Sequence, residues 1–143
     1  MRKMLMALVA VLMLLVLTGC GTQTLTCTMS QSQTGMSMDQ KVDATFVNNE
    51  VTEMNMKIDV TLDDQYASYA DTMKSTLEEE YKVFSDNGGK VNVSGEGNII
   101  NIAIDLDVKN MTNEQLENLN MGDIYGTKSA TAKELEEQGY TCN

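Results

Sequence analysis

Apolar side chains recur at every second position between residues 24 and 62, and this alternation restricts the possible folds more than any other feature. A period of two is typical of β-strands that bury one face and expose the other. The apolar positions are odd in the first segment and even in the next two: Leu25, Cys27, Met29; Met36, Met38, Val42, Ala44, Phe46; Met54, Met56, Ile58, Val60, Leu62. The pattern predicts three consecutive antiparallel strands, in which Gln40 is a polar exception on the apolar face.

These parities also constrain the first hairpin, because directly opposed residues of an antiparallel pair share one face of the sheet. Residues 32–35, Ser-Gln-Thr-Gly, have the composition of a turn. A four-residue loop at this point predicts that Met29 lies opposite Met38 and that Leu25 lies opposite Val42.

The second hairpin requires a different connection. A simple two-residue turn at Asn48-Asn49 would bring even positions opposite odd ones. A three-residue loop, or a bulge near Thr52, restores the match between the apolar faces. Either arrangement predicts that Ala44 lies opposite Met54.

After residue 62 the apolar spacing changes to three and four, which is the period of an amphipathic helix. Thr61, Asp63 or Asp64 can cap the start of this helix, and Asn-Gly-Gly at residues 87–89 can end it. We therefore predict one long amphipathic helix, whose apolar stripe consists of Tyr66, Tyr69, Ala70, Met73, Leu77, Tyr81 and Phe84.

A second hairpin unit is predicted for residues 91–93 and 99–108, where the alternation returns. A loop of two or four residues keeps the parity and places Val93 opposite Ile100 and Val91 opposite Ile102. Asp105 and Asp107 then share an exposed face, at a spacing that could contact a cation, although the twelve-residue calcium loop is absent.

Two capping boxes, at residues 112–115 and 131–134, predict two short C-terminal helices. The sequence therefore predicts an α+β fold. An antiparallel sheet, made of the meander and the second hairpin, is packed by one long amphipathic helix, with two short helices at the C-terminus. The length suits a single domain, which we expect to cover residues 24–143.

The N-terminal segment is typical of a bacterial lipoprotein signal peptide. Arg2 and Lys3 precede an uncharged apolar run, which ends in Leu-Thr-Gly-Cys at residues 17–20. We expect residues 1–19 to be removed, Cys20 to carry lipid, and residues 20–23 to include a short tether. A plain secretory signal and an uncleaved anchor helix are the alternatives, but the run is shorter than the about 20 residues that span a bilayer. We therefore expect an extracytoplasmic domain attached to the cell membrane through lipid on Cys20.

Composition excludes several classes of function. The chain contains no His, which removes the commonest general base and metal ligand. Ser-His and Cys-His catalysis and ordinary zinc sites are therefore excluded. The net charge is −11, and −13 without the leader, which argues against nucleic-acid binding and is compatible with capture of cationic peptides or metal ions. The alternating Met residues indicate core packing rather than a copper site.

Assignment of Cys20 to lipid leaves Cys27 and Cys142 as an even pair in a compartment that permits disulfides. We predict that these two cysteines are bonded and that the bridge connects the first strand to the C-terminus. Two free buried thiols are the alternative. No Cys-x-x-Cys pair and no His are present to support a redox role.

The order of elements over residues 24–140 resembles the YehR-like family of small bacterial lipoproteins. The local match is clearest at residues 129–140, Ser-Ala-Thr-Ala-Lys-Glu-Leu-Glu-Glu-Gln-Gly-Tyr. The resemblance implies an α+β fold and a location at the cell surface, and it implies no active site. The Cys27 and Cys142 pair and the abundance of Met are particular to this chain.

We expect a non-enzymatic, monomeric binding or interaction domain without cofactor or bound metal, whose partner is a protein of the cell envelope. The alternative is a small-ligand or cation-binding lipoprotein, in which Tyr66, Tyr69, Asp105 or Asp107 line a cleft. A third hypothesis is an enzyme that uses carboxylates alone, for example on glycans.

Overall fold

The computed structural model of the protein describes residues 21–121 and 126–143. The expected signal peptide and Cys20 lie outside this part of the chain, as do residues 122–125. The first strand begins at Thr22, inside the segment expected to be a tether. Of the helices within the described ranges, none has the length and apolar character that crossing a membrane would require.

The described chain forms one six-stranded antiparallel sheet with helices, which confirms the predicted α+β class. The order of strands across the sheet is β4-β5-β3-β2-β1-β6, so the meander is central and the second hairpin joins it through β5. The strands are β1 Thr22–Gln33, β2 Met36–Val47, β3 Glu50–Leu62, β4 Lys90–Glu96, β5 Ile99–Leu106 and β6 Thr141–Cys142.

The register predicted for the first hairpin is wrong by two residues. Strand pairing continues to Gln33 opposite Met36, so the turn contains only Thr34 and Gly35, and Met38 lies opposite Gln31 rather than Met29. Cys27, and not Leu25, lies opposite Val42. Gly35 has a φ of 90°, a conformation that glycine adopts without strain, and this permits the tighter turn.

The second hairpin has the predicted pairing of Ala44 with Met54. Asn48 and Asn49 form a two-residue turn with φ values of 53° and 66°. Phe46 pairs with Val51 and Thr45 with Glu53, so Thr52 is the extra residue of a β-bulge. The bulge corrects the parity that the short turn would otherwise have reversed, as the sequence predicted.

The third hairpin uses the shorter of the two loops that parity allows. Glu96 pairs with Ile99 across a turn at residues 97 and 98, and Val93 lies opposite Ile102. The expected pairing of Val93 with Ile100 is therefore wrong. The positive φ of Gly97 allows the two-residue turn.

The segment expected to form one long helix is divided into three parts. A 3₁₀ segment, Asp64–Tyr69, leads into helix α1, Ala70–Glu80, and helix α2, Lys82–Asp86, follows after Tyr81. No side-chain cap hydrogen bond starts any of these parts. At the break, Tyr81 has φ −81° and ψ −3°, and a ψ this far from the helical value of about −42° interrupts the α-helix. The rings of Tyr81 and Phe84 form a stacked pair, with 6.1 Å between centroids, that packs on the core.

The C-terminal region contains a 3₁₀ turn at Val108–Asn110 and helices α3, Asn113–Asn118, and α4, Lys128–Glu137. The predicted capping box of α3 is present, with reciprocal hydrogen bonds between Thr112 and Gln115. The second predicted box is not used, because α4 begins earlier. Thr127 accepts a hydrogen bond from the Ala130 N–H, and Thr131 is buried within the helix.

The hydrophobic core lies on one face of the sheet. Helix α1 contacts β4 and β5, and α4 contacts β1. Strand positions of the predicted parities form the centre of the core: Leu25, Cys27, Val42, Ala44, Phe46, Met54, Ile58, Val60, Leu62, Ile100, Ile102, Ile104 and Leu106. The intervening positions are mainly polar residues on the opposite face. The helical layer leaves the distal part of the first hairpin less covered, since Met36 and Met38 are only half-buried.

Candidate functional site

A cleft of about 680 Å³ lies at the end of the sheet that contains the turn between β1 and β2. We call it the Tyr–Met cleft. Its sheet side consists of Gln33, Thr34, Gly35, Met36 and Leu62, and its helical side consists of Tyr66, Tyr69, Thr72, Met73 and Thr76. Apolar side chains and aromatic rings make up most of the lining, with a few hydroxyl and amide groups at the margin. This is the composition of a binding pocket.

Backbone hydrogen bonds position the sheet side of the cleft. The N–H of Asp63 donates to the carbonyl of Gly35 over 3.0 Å. The N–H of Leu62 donates to the carbonyl of Asn98 over 2.8 Å, and the Asn98 amide returns a bond of 2.7 Å to the Leu62 carbonyl. The end of β3 is therefore fixed to both adjacent turns before the chain enters the 3₁₀ segment.

The 3₁₀ geometry explains why the two tyrosines lie together. Side chains three residues apart are nearly eclipsed in a 3₁₀ helix, which aligns them more closely than an α-helix does. The ring centroids of Tyr66 and Tyr69 are 6.5 Å apart, with the planes inclined at 46°. The residues are 39% and 61% exposed, respectively, so the aromatic wall is accessible to a ligand.

Gly35 sets the position of the Tyr66 ring. A Cβ atom at residue 35 would overlap the ring carbons Cε2 and Cδ2 of Tyr66, so the close approach requires glycine. The same residue provides the positive φ of the turn. Sequence reasoning used this glycine only to place a turn, and its second role became visible only with the register.

Of the four candidate ligand-binding residues, Tyr66 and Tyr69 line the cleft, but Asp105 and Asp107 do not. Asp105 lies on the polar face of the sheet, opposite Lys90 on β4. Asp107 lies beyond β5 and accepts a hydrogen bond of 2.7 Å from the Asn110 amide. Over residues 21–121 and 126–143, no three His, Cys, Asp or Glu side chains are grouped so that they could hold a metal ion.

The residues missed as site candidates are Met36, Leu62 and Met73, which the sequence analysis treated as core. Leu62 is buried, but the two methionines are half-buried and contribute thioethers to the cleft. Met side chains are flexible and polarisable, and they suit surfaces that adapt to a ligand. The position of Met36 directly after a hairpin turn, where helical cover ends, is the signal that could have identified it.

A second hollow, of about 770 Å³, lies at the opposite end of the sheet, near the turn between β2 and β3. Its lining mixes apolar residues with the charged side chains of Glu50, Glu53 and Lys109. It also includes Gly126, which directly follows residues 122–125 outside the described chain.

The polar face of the sheet carries rows of charged side chains across β2 and β3. Asp39 lies opposite Asp59, Lys41 opposite Lys57, and Asp43 opposite Asn55. Burial alone would raise the pKa of Asp43, but hydrogen bonds from Lys41 and Thr26 outweigh this effect and hold the pKa below its ordinary value. The lengths are 2.8 Å to the Lys41 Nζ and 2.6 Å to the Thr26 Oγ1.

Comparison with protein-family models gives no match, and neither does comparison with the sequences of curated proteins. Solved structures, in contrast, share the architecture. The NMR structure of the Escherichia coli YehR protein superposes with a TM-score of 0.61 at 8% identity, covering 85% of this chain and 92% of that chain. The chain has the YehR-like fold. An NMR structure of a protein from Streptococcus pneumoniae TIGR4 has a TM-score of 0.56 at 16% identity and covers 85% of each chain. At such identities the YehR-like fold is all that is shared.

Proposed function

We propose that this protein is a lipid-anchored, extracytoplasmic, non-enzymatic binding module whose Tyr–Met cleft holds an apolar side chain of an envelope protein. The accessible aromatic wall formed by Tyr66 and Tyr69 is the observation that carries the proposal. The lipoprotein-like leader supports the location, and the absence of His supports a role in binding rather than catalysis.

The position of the cleft agrees with such an anchor. β1 runs for 12 residues from Thr22 to Gln33, which corresponds to about 40 Å of extended chain. Lipid on Cys20 would lie just before Thr22, the first residue of β1, whereas the cleft begins at Gln33, the last residue of this strand. A domain attached through Cys20 would thus present the Tyr–Met cleft away from the membrane.

A small apolar molecule is the second candidate ligand. The volume of the cleft, about 680 Å³, lies within the usual range for small-molecule pockets, about 300 to 1,000 Å³. Cation binding, the other part of the alternative drawn from sequence, receives no support from the cleft because Asp105 and Asp107 lie elsewhere.

Anchoring is tested with the full chain expressed in a bacterial host. We expect the wild-type protein to float with membranes and to show an intact mass that lacks residues 1–19 and includes acyl chains. Cys20→Ser should carry no acyl mass. Recovery of unmodified wild-type protein from the soluble extracytoplasmic fraction would contradict the anchor.

Binding in the cleft is tested with the tripeptide Lys-Trp-Lys and the lipidated full chain in phosphatidylcholine vesicles. The protein contains no Trp, so a blue shift of the peptide emission reports transfer of its indole into an apolar site. Empty vesicles give the background. We expect Tyr69→Ala to weaken the binding by about ten-fold, because an aromatic contact is lost.

Val83→Ala is the matched control for Tyr69→Ala. Val83 is also a large exposed side chain, 41% accessible, but it belongs to α2 and does not line the cleft. We expect this variant to bind the tripeptide as the wild type does. Equal binding by wild type and Tyr69→Ala, or no emission shift above the empty vesicles, would refute the proposed site.

A further inference from the structure

The outer edge of β1 is only partly covered. β1 pairs with β2 along its whole length, but β6 pairs only with Cys27 and Thr28. One further bond, from the Asn143 N–H to the Thr26 carbonyl, extends this pairing toward the N-terminus of β1. In the described part of the chain, no strand lies beside residues 30–33 on this side, and all four are exposed.

The direction of the free backbone groups follows from the pairing with β6. In an antiparallel ladder, the N–H and C=O of one residue point to the same side, and successive residues alternate. The Thr26 carbonyl points outward, because it accepts the bond from Asn143. The outward groups farther along are therefore those of Ser30 and Ser32, which offer two donors and two acceptors to an added strand.

This edge lacks the features that prevent strand addition. Exposed edges of natural sheets are usually protected by charges, Pro or bulges. Residues 21–38 contain no charged side chain, although 22% of the whole chain is charged. The pairing of β1 with β2 also continues without a register shift. By contrast, the opposite edge strand, β4, begins with Lys90 and ends with Glu96.

The free edge leads directly into the Tyr–Met cleft. A shallow hollow of about 360 Å³ lies along Gln31, Ser32 and Gln33 and is completed by Met36 and Met38. Gln33 and Met36 also line the Tyr–Met cleft. A segment that pairs with residues 30–33 would therefore have space for its side chains in a hollow of mixed polarity beside the edge and in the apolar cleft beyond it.

We propose that the partner supplies an extended peptide segment, which adds to the sheet as a strand along residues 30–33 and places an apolar side chain in the Tyr–Met cleft. This inference rests on the proposed function, since it specifies how the cleft is occupied. Three acidic residues lie near the site: Ser30 bonds to Asp39, the backbone of Asp63 bonds to Gly35, and Asp64 follows. The segment is therefore uncharged or cationic.

A second copy of this chain fits the same edge less well. Two copies of β1 paired antiparallel would direct their N-terminal ends in opposite directions, whereas two anchors in one membrane require both ends on the same side. Without the leader, each chain also carries a net charge of −13, which opposes self-association. A peptide from another protein avoids both difficulties.

The test compares Lys-Trp-Lys with the nine-residue peptide Lys-Val-Thr-Val-Trp-Val-Thr-Val-Lys on the full chain in phosphatidylcholine vesicles. We expect the longer peptide to bind about ten-fold more tightly or better, because it adds backbone hydrogen bonds to those of the side-chain contact. N-methylation of its alternate amides should abolish this gain while leaving the side chains unchanged.

Ser32→Pro should also remove the tighter binding of the nine-residue peptide, because it deletes the outward backbone N–H of residue 32 without breaking the hydrogen bonds between β1 and β2. Thr24→Pro is the matched control. The backbone N–H of Thr24 also points to the outer edge of β1, but Thr24 lies N-terminal to the residues that pair with β6 and away from residues 30–33. We expect it to keep the full affinity for the nine-residue peptide. If Ser32→Pro alters the thermal unfolding midpoint, Ser32→Lys provides a milder block of the edge by repelling the cationic probe.

Equal affinities for the two peptides, or full affinity of Ser32→Pro and Ser32→Lys for the longer peptide, would overturn strand addition. If Lys-Trp-Lys still binds and Tyr69→Ala still weakens it, only this inference fails. If neither peptide binds, the proposed function fails with it. A Ser32→Cys variant that crosslinks to itself in vesicles and excludes the peptide would identify a second copy as the occupant and overturn the proposal.

Discussion

Gln40 is a polar residue on the apolar face of β2, and its partner is 100 positions away in sequence. The hydroxyl of Tyr140 donates to the Gln40 Oε1 over 2.6 Å, and the Gln40 amide contacts the sulfur of Met38 at 2.9 Å. Burial raises the pKa of Tyr140, so its hydroxyl keeps the proton that it donates. Alternation identified Gln40 as an exception, but no local pattern could identify the residue that satisfies it.

Tyr140→Phe should lower the free energy of unfolding by about 1 to 2 kcal/mol, because the half-buried Gln40 oxygen loses its donor. The double variant with Gln40→Leu should recover much of this loss, since both polar partners are then absent. Urea unfolding measures both changes. Tyr69→Phe is the control, because its exposed hydroxyl makes no comparable bond, and equal losses in the two Tyr→Phe variants would contradict the role of Gln40.

Asp43 gives the stability a defined pH dependence. Its pKa is lowered from 3.8 in the folded state, where the hydrogen bonds from Lys41 and Thr26 outweigh burial. A lowered folded-state pKa contributes stability that is complete above the unfolded value and is lost as pH falls through the folded value. Thr26→Val should therefore destabilise the protein at neutral pH, and the difference from wild type should shrink below about pH 4.

The measurement is urea unfolding of wild type and Thr26→Val between neutral pH and the lowest pH at which both fold. Thr28→Val is the control, since Thr28 lies on the same face of β1, opposite Lys41, without a bond to a carboxylate. Its difference from wild type should not change with pH. A difference for Thr26→Val that is equally constant would show that the Thr26 bond does not act on Asp43.

Strand elements show which parts of the fold the sequence determines. Parity identified the buried faces of β1 to β5 correctly, but two- and four-residue loops that end at the same residue preserve the same parity and differ by two in register. The first and third hairpins use the shorter loop, made possible by positive φ at Gly35 and Gly97, and both predicted registers were wrong. The second hairpin had to change parity, and the bulge at Thr52 is one of the two arrangements that the sequence predicted for it.

Residue spacing also predicted part of the candidate site, because it assigns each residue to one face of the sheet. The aromatic stripe placed Tyr66 and Tyr69 on the helical side of the sheet, while alternation placed Asp105 and Asp107 on the polar side. The assignment to the apolar or the polar face of the sheet is therefore enough to separate the two tyrosines from the two aspartates. The contact of Tyr66 with Gly35 depends on the first hairpin register and on the 3₁₀ geometry, neither of which hydrophobic spacing determines.

Gly35→Ala tests the contact between the turn and the aromatic wall. The substitution introduces a Cβ at φ 90° and forces the Tyr66 ring to move. Gly97→Ala is the matched control, because its φ of 66° imposes a similar backbone cost of about 1 kcal/mol in a site with no neighbouring atom within 4 Å. We expect Gly35→Ala to be the more destabilising in urea unfolding and to lose affinity for Lys-Trp-Lys, while Gly97→Ala keeps it. Equal effects would exclude displacement of Tyr66.

At the scale of the whole molecule, a disulfide joins the two ends of the described domain. The structure contains the predicted bridge between Cys27 and Cys142, whose Cα atoms are 4.1 Å apart and directly opposed in the pairing of β1 with β6. Cys27 is fully buried, and the chain turns away from the edge at Tyr140 to bond with Gln40. The bridge thus holds the two-residue strand β6 in place and defines where the free edge of β1 begins.

Removing the bridge with Cys27→Ala and Cys142→Ala should lower the free energy of unfolding by roughly 5 kcal/mol, as chain entropy predicts for a sequence separation of 115 residues. Urea unfolding of the full chain measures the loss, and reduction of the wild type should reproduce it.

The bridge should also be coupled to the bond between Tyr140 and Gln40, because that bond requires β6 to remain docked. Tyr140→Phe should therefore cost less in the bridge-free background than in the wild type, a difference that a double-mutant cycle resolves. Gly97→Ala lies in the turn between β4 and β5, at the edge of the sheet opposite β6, and should cost the same in both backgrounds. Strictly additive losses for Tyr140→Phe and the bridge would show that β6 stays docked without the disulfide.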